Sequence, residues 1–136
     1  LTVCVLCTPA LGWEARSSDI CDIVHSGPEG DVRVTFDPAA SLYEITVTRP
    51  APWPGAPVFA IQFGNTGLTI STNRHRLSAG NTALSVSDTG FGNVLLGLES
   101  AGTATALSGD ASAMFDLTGA PEAVAAFRAC TTAPSV

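Results

Sequence analysis

The stretch DVRVTFDPAASLYEITVT, Asp31–Thr48, decides how this chain is read. In its first half Val32, Val34 and Phe36 share one face of an alternating run. In its second half Tyr43, Ile45 and Val47 share one face, while Glu44, Thr46 and Thr48 take the other. A period of two is the mark of a strand with one buried face, because successive side chains point to opposite sides. Between the two runs, Asp37-Pro38-Ala39-Ala40-Ser41 has turn chemistry: proline fixes its own φ, and Asp and Ser bond nearby backbone groups. The stretch predicts a β-hairpin.

Working outward, Arg49–Pro57 carries four prolines in nine residues. Proline lacks the N–H that a central strand must donate, so this segment is expected to be an extended crossover, with Trp53 capping one end of the core. Strand character resumes at Val58–Phe63, with Phe59, Ile61 and Phe63 aligned. Gly64-Asn65-Thr66-Gly67 turns the chain into a short strand at Leu68–Thr72. Another follows at Leu84–Ser87, after a bend at Ser78–Asn81. In Asn93–Gly102 the spacing of Val94, Leu95 and Leu98 is helical, and Asn93 and Gly102 are candidate caps. Thr103–Leu107 and Ala113–Leu117 flank Ser108-Gly109-Asp110 as a second hairpin. Pro121–Cys130 predicts a closing helix, with Pro121 in its first turn, Glu122 at the positive end of its dipole, and Ala123, Val124 and Phe127 facing the core. The expectation is a mainly β protein: an antiparallel β-sandwich or open barrel of about eight short strands, with a short helix and a C-terminal helix.

The length of 136 residues fits one domain. Leu1–Gly12 is uncharged and apolar apart from two threonines, and ends in a small-x-small step before Trp13. It reads as a truncated signal peptide, followed by a single β-rich domain over residues 13–130 and a disordered tail at Thr131–Val136. A buried N-terminal strand is the alternative for Leu1–Gly12. Cys4 and Cys7 form a C-x-x-C, but no βαβ unit follows for redox chemistry and no second ligand pair for zinc. Of the two cysteines left, Cys21 and Cys130, an even count in an exported chain suggests a disulfide; two buried thiols are the alternative.

The chain carries six arginines, no lysine and twelve acids, for a net charge of −6. That balance argues against a general affinity for nucleic acid, which needs a basic surface. No apolar run reaches the length of a membrane span, so none is expected after signal removal. G-x-S-x-G, H-E-x-x-H and the P-loop pattern are all absent. No catalytic residue, metal ligand or cofactor is assigned. His25, ahead of Ser26-Gly27-Pro28, reads as a strand-end residue in a turn. A copper or zinc site would need His25, His75 and Met114 or an acid to meet in space. Asp19 with Asp22, and Glu29 with Asp31, read as solvated turn acids. Thr89-Gly-Phe-Gly-Asn93 is glycine-rich ahead of a helix, where free N–H groups can hold an anion. With no strand and long helix framing it, it reads as a sharp turn.

The densest chemistry is Arg74-His75-Arg76. In a strand the two arginines would share one face, presenting paired forks to a carboxylate or phosphate, with His75 on the other. The bland alternative is an exposed segment whose arginines pair with nearby acids.

The last third, Asn93–Ser100, Thr103–Leu117, Leu117-Thr-Gly-Ala120 and Pro121–Cys130, resembles the invasion-associated locus B family of exported alphaproteobacterial proteins. The likeness covers about a third of the chain. The N-terminal half departs from the family in lacking its internal cysteine pair. The resemblance implies a β-sandwich in the cell envelope with no catalytic residues to carry over. Two expectations follow for function. The first is a non-enzymatic periplasmic or secreted protein that binds an envelope protein or a small anionic ligand through Arg74, His75 and Arg76. The second is a small periplasmic hydrolase using His75.

Overall fold

A computed structural model describes residues 12–64, 67–100 and 102–132. The expected signal segment through residue 11, with Cys4 and Cys7, lies outside the described residues. So do Asn65 and Thr66 of the expected turn and residues 133–136 of the expected tail.

The Asp31–Thr48 hairpin forms as read. Its strands, β3 (Gly30–Asp37) and β4 (Leu42–Thr48), pair antiparallel with Val34 opposite Ile45 and Val32 opposite Val47. Those four side chains are buried. The turn is held where Asp37 accepts the Ala39 N–H at 3.0 Å. On the N-terminal side β1 (Gly12–Ser17) and β2 (Cys21–Gly27) extend the meander. Beyond β4 come β8 (Ala83–Asp88) and then β7 (Arg76–Ser78), giving a six-stranded sheet in the order β1-β2-β3-β4-β8-β7. The second sheet has the order β10-β9-β5-β6, from β5 (Phe59–Phe63), β6 (Leu68–Thr72), β9 (Thr103–Ser108) and β10 (Ala111–Asp116). Every pairing is antiparallel. Among the described residues there are ten strands instead of about eight. The difference lies in β1 and β2, whose mixed patterns of GWEARS and CDIVHSG hide the alternation, and in the three-residue β7.

The inner faces pack unlike partners together. Ile23, Val34, Val47 and Leu84 of the first sheet meet Phe59, Ile61 and Phe63 on β5, while Ala104, Ala106 and Ala113 keep β9 and β10 slim. The proline-rich crossover carries the chain from the first sheet to the second. Trp53 closes that end of the core: it is 1% exposed, donates its indole N–H to the Val47 carbonyl at 3.1 Å, and meets Phe59 edge-on.

Helix α1 (Gly92–Glu99) and helix α2 (Ala120–Thr132) carry further apolar residues into the core. They are joined by Arg128, which donates to both Glu99 oxygens at 3.1 Å. Helix α1 begins one residue before Asn93, so Asn93 is not its cap; Ser100, not Gly102, ends it. Helix α2 runs two residues past Cys130, so the expected tail does not begin at Thr131. Cys130 is bonded to Cys21 on β2, with Cα atoms 5.9 Å apart, which fastens the last helix to the N-terminal meander. No helix among the described residues is long and apolar enough to cross a membrane.

Candidate ligand-binding site

The chain must leave the second sheet after Thr72 and enter the first at Arg76. Asn73, Arg74 and His75 make that crossing and belong to no strand. Strand alternation therefore does not govern Arg74-His75-Arg76, and the three side chains part company.

Arg76, first residue of β7, lies across β8 and donates to Glu44 at 2.7 Å and to the Ser87 hydroxyl at 3.3 Å. His75 is half-buried. Its Nε2 lies 3.0 Å from the Ala56 carbonyl oxygen, its ring tilts against Phe59, and its Nδ1 is buried without a partner. A hydrolytic base needs a hydroxyl on one ring nitrogen and an orienting acid on the other. Among the described residues neither nitrogen of His75 has one.

Arg74 is different. Its side chain is 74% exposed, and its nearest acid, Asp88, stands 3.9 Å away, beyond hydrogen-bond length. Asp88 is itself turned toward Thr89, whose backbone N–H it accepts at 2.7 Å. The other five arginines are all engaged: Arg16 and Arg33 on Asp22, Arg49 on the Pro52 carbonyl, Arg76 on Glu44 and Arg128 on Glu99. Arg74 alone donates no guanidinium hydrogen bond to a described residue.

Paired at 3.9 Å with Asp88 and not hydrogen-bonded to a described residue through its guanidinium, Arg74 stands at the rim of a cavity of about 450 Å³ between the two sheets. The apolar floor comes from both sheets: Ile45 and Val86 from the first, Phe59, Ile61 and Ile70 from the second. Phe91 and Val94 close the wall on the helix side. The polar groups gather at the mouth, from Ser71, Thr72, Arg74, Asp88 and the backbone of Gly90–Asn93. This division, an apolar interior with a few convergent polar groups, is the usual build of a small-molecule site.

The segment read as a sharp turn supplies part of that mouth. Phe91 occupies the N-cap position of α1, no side chain caps the first turn, and no acid lies in it. The first intrahelical bond is Leu95 N–H to Phe91 carbonyl, so the amides of Gly92, Asn93 and Val94 precede the ladder. Neither Gly90 nor Gly92 has a positive φ, and a Cβ at either would meet nothing within 4 Å. Packing does not demand glycine there, and its absence of side chain leaves the backbone open to the cavity. Sequence reading missed Phe91 and Val94 as lining residues, because Val94 reads only as part of a helical apolar face and Phe91 only as part of a sharp turn; the glycine pair was the one visible signal.

The remaining candidates fall elsewhere. His25 lies within β2, not in a turn: it is 7% exposed, stacked on Trp13 at 4.4 Å and edge-on to Phe115. Asp22 is not a solvated turn acid. It sits in β2 with its side chain 5% exposed, held by Arg16 at 2.6 Å and Arg33 at 3.0 Å. Hydrogen bonding from Arg16 holds its carboxyl below the ordinary value; burial opposes that shift and Arg33 assists it. Glu29 accepts the Met114 N–H at 2.9 Å. Among the described residues no three His, Cys, Asp or Glu side chains group as metal ligands would. No protein-family model, curated protein or solved structure matches the chain.

Proposed function

We propose that this protein is a non-enzymatic binding protein for a ligand with an apolar body and one anionic group. The apolar body occupies the inter-sheet cavity, and the anion meets Arg74 at its mouth. The observation that supports this most is the coincidence of the apolar cavity of about 450 Å³ with the one guanidinium that donates no hydrogen bond to a described residue. An exposed guanidinium keeps its fork of donors free for a carboxylate or phosphate, and the apolar walls favour a ligand that brings hydrocarbon with its charge. Asp88 opposes the anion and sets the selectivity: a dianion meets more repulsion there than a monoanion. Export to an oxidising compartment, periplasmic or extracellular, belongs to the same proposal. It is supported by the Cys21–Cys130 bond, since disulfides persist mainly in such compartments, and by the resemblance of the last third to an exported family.

The test is calorimetric titration with octanoate and with octanol. Octanoate is expected to bind about tenfold or more tightly than octanol, the size of one charge-assisted hydrogen bond, and Arg74→Ala to erase the difference. Equal binding of the acid and the alcohol to the native protein would contradict the reading.

A further inference from the structure

Two charges of opposite sign stand at the mouth of the cavity. Arg74 rises from the crossing between β6 and β7, on a loop fixed where the Thr72 hydroxyl oxygen accepts the Arg74 N–H at 3.1 Å. Asp88 ends β8, on the other sheet from β6. Both residues line the cavity. Arg74 Nη2 and Asp88 Oδ2 lie 3.9 Å apart, and the two side chains are 74% and 48% exposed. That separation gives a Coulombic pair but no hydrogen bond. Asp88 Oδ1 accepts the Thr89 N–H at 2.7 Å, while its Oδ2 accepts no hydrogen bond from a described residue. Each charge therefore keeps unspent hydrogen-bonding capacity at the same opening.

Such a pair discriminates between head groups by charge. A lone anion gains from Arg74 but is opposed by Asp88, and a lone cation meets the reverse, so each attraction is partly cancelled. A head that carries both charges on neighbouring groups gains from the two at once. The carboxylate and ammonium of an α-amino acid hang from one carbon, and so match the close spacing of guanidinium and carboxylate. Because the protein charges are exposed, this head keeps much of its water and avoids the cost of burying an ion. Below the mouth, Ile45, Phe59, Ile61, Val86 and Phe91 offer no hydrogen-bonding side chain. A polar side chain entering there would lose water without gaining a partner, whereas a large apolar one gains by burial. The volume of about 450 Å³ admits a side chain of leucine or phenylalanine size.

Resting on the reading above, we propose that the ligand is a free α-amino acid with a large apolar side chain. Its carboxylate meets Arg74, its ammonium donates to Asp88 Oδ2, and its side chain enters between the sheets. Asp88, which only opposes a simple anion, becomes the residue that selects the zwitterion.

The test is calorimetric titration of the full, disulfide-bonded chain with L-phenylalanine and with 3-phenylpropanoate, which has the same apolar body and carboxylate but no ammonium. L-Phenylalanine is expected to bind about tenfold or more tightly, the size of one charge-assisted hydrogen bond. Asp88→Asn should erase or invert that ratio, weakening the amino acid while tightening the propanoate. N-acetyl-L-phenylalanine, which keeps the carboxylate and loses the ammonium, makes the same comparison on the native protein and is expected to bind about tenfold or more weakly than L-phenylalanine. If 3-phenylpropanoate or octanoate binds at least as tightly as L-phenylalanine, the amino-acid assignment falls while the anionic-ligand reading stands. If none of these ligands binds, both fall. A ratio unchanged in Asp88→Asn, or an acetylated ligand that binds as well as the free one, also overturns the assignment.

Discussion

Asp22 shows how much one side chain can organise. Two arginines from neighbouring strands, Arg16 on β1 and Arg33 on β3, converge on it, so the outer face of the first sheet is stitched across three strands. Because its folded pKa lies below the ordinary 3.8, the native state releases this proton more readily than the unfolded chain does. The stability that Asp22 contributes is complete above the unfolded pKa and is lost as pH falls through the folded one. We predict that Asp22→Asn lowers unfolding free energy by about 1–3 kcal/mol at neutral pH, as expected for charged hydrogen bonds. In urea titrations the gap between native and variant protein should shrink as pH drops below about 4. A gap unchanged at acid pH would mean that the carboxylate charge is not what Asp22 contributes. Arg74 is the opposite case: exposed, and with no guanidinium hydrogen bond to a described residue, it can be replaced by Ala with a stability change within about 0.5 kcal/mol. Asp88→Asn should tighten octanoate binding several-fold by removing the competing carboxylate, while Asp88 variants that weaken it would argue that Asp88 positions Arg74.

Helix α1 is the element on which the site depends, and its seating is unforgiving. A methyl group at Gly97 would run into the ring of Phe63, so Gly97→Ala must push the helix off β5. We expect a loss of about 1–3 kcal/mol from this overpacking, read in thermal or urea unfolding. Gly92→Ala provides the contrast. It meets no atom, and alanine suits a helix better by up to about 1 kcal/mol, so stability should hold or rise while ligand affinity falls. Equal affinity in Gly92→Ala would remove the open backbone from the site. The helices themselves were legible from the spacing of Val94, Leu95 and Leu98, and of Val124 and Phe127. Their caps were not: Asn93 has the chemistry of a cap, but the chain enters α1 through Phe91, whose ring is drawn into the core beside Tyr43. At the other end of the chain, the Cys21–Cys130 bond joins α2 to β2. Reducing it should lower stability by about 2–4 kcal/mol without changing the far-UV spectrum at low temperature. Loss of all secondary structure on reduction would show that the bond is required for folding and not only for stability.

At the scale of the whole molecule, the sandwich is written in a single period. The alternation of Val32, Val34, Ile45 and Val47 sets one buried sheet face, and Phe59, Ile61 and Phe63 set the other. Where alternation breaks, the sequence was silent. Trp13–Ser17 pairs along an edge and is only partly covered by α2, so its pattern carries no clean buried face. The cavity was not legible either. It needs β4 and β8 of one sheet, β5 and β6 of the other, and the entry to α1, and no local pattern encodes that convergence. Arg74 was visible only as part of a cluster, and the crossing between sheets separates it from Arg76, which is held by Glu44 on the first sheet. The central claim is that an apolar anion enters between the sheets and meets Arg74. Its most direct test is amide chemical-shift mapping of the native, disulfide-bonded protein titrated with octanoate. The account predicts saturable shifts concentrated at Ile70–Arg74 and Gly90–Val94, and their disappearance in Arg74→Ala at the same concentrations; shifts scattered over the surface, or centred on the outer face around Arg16 and Arg33, would contradict it.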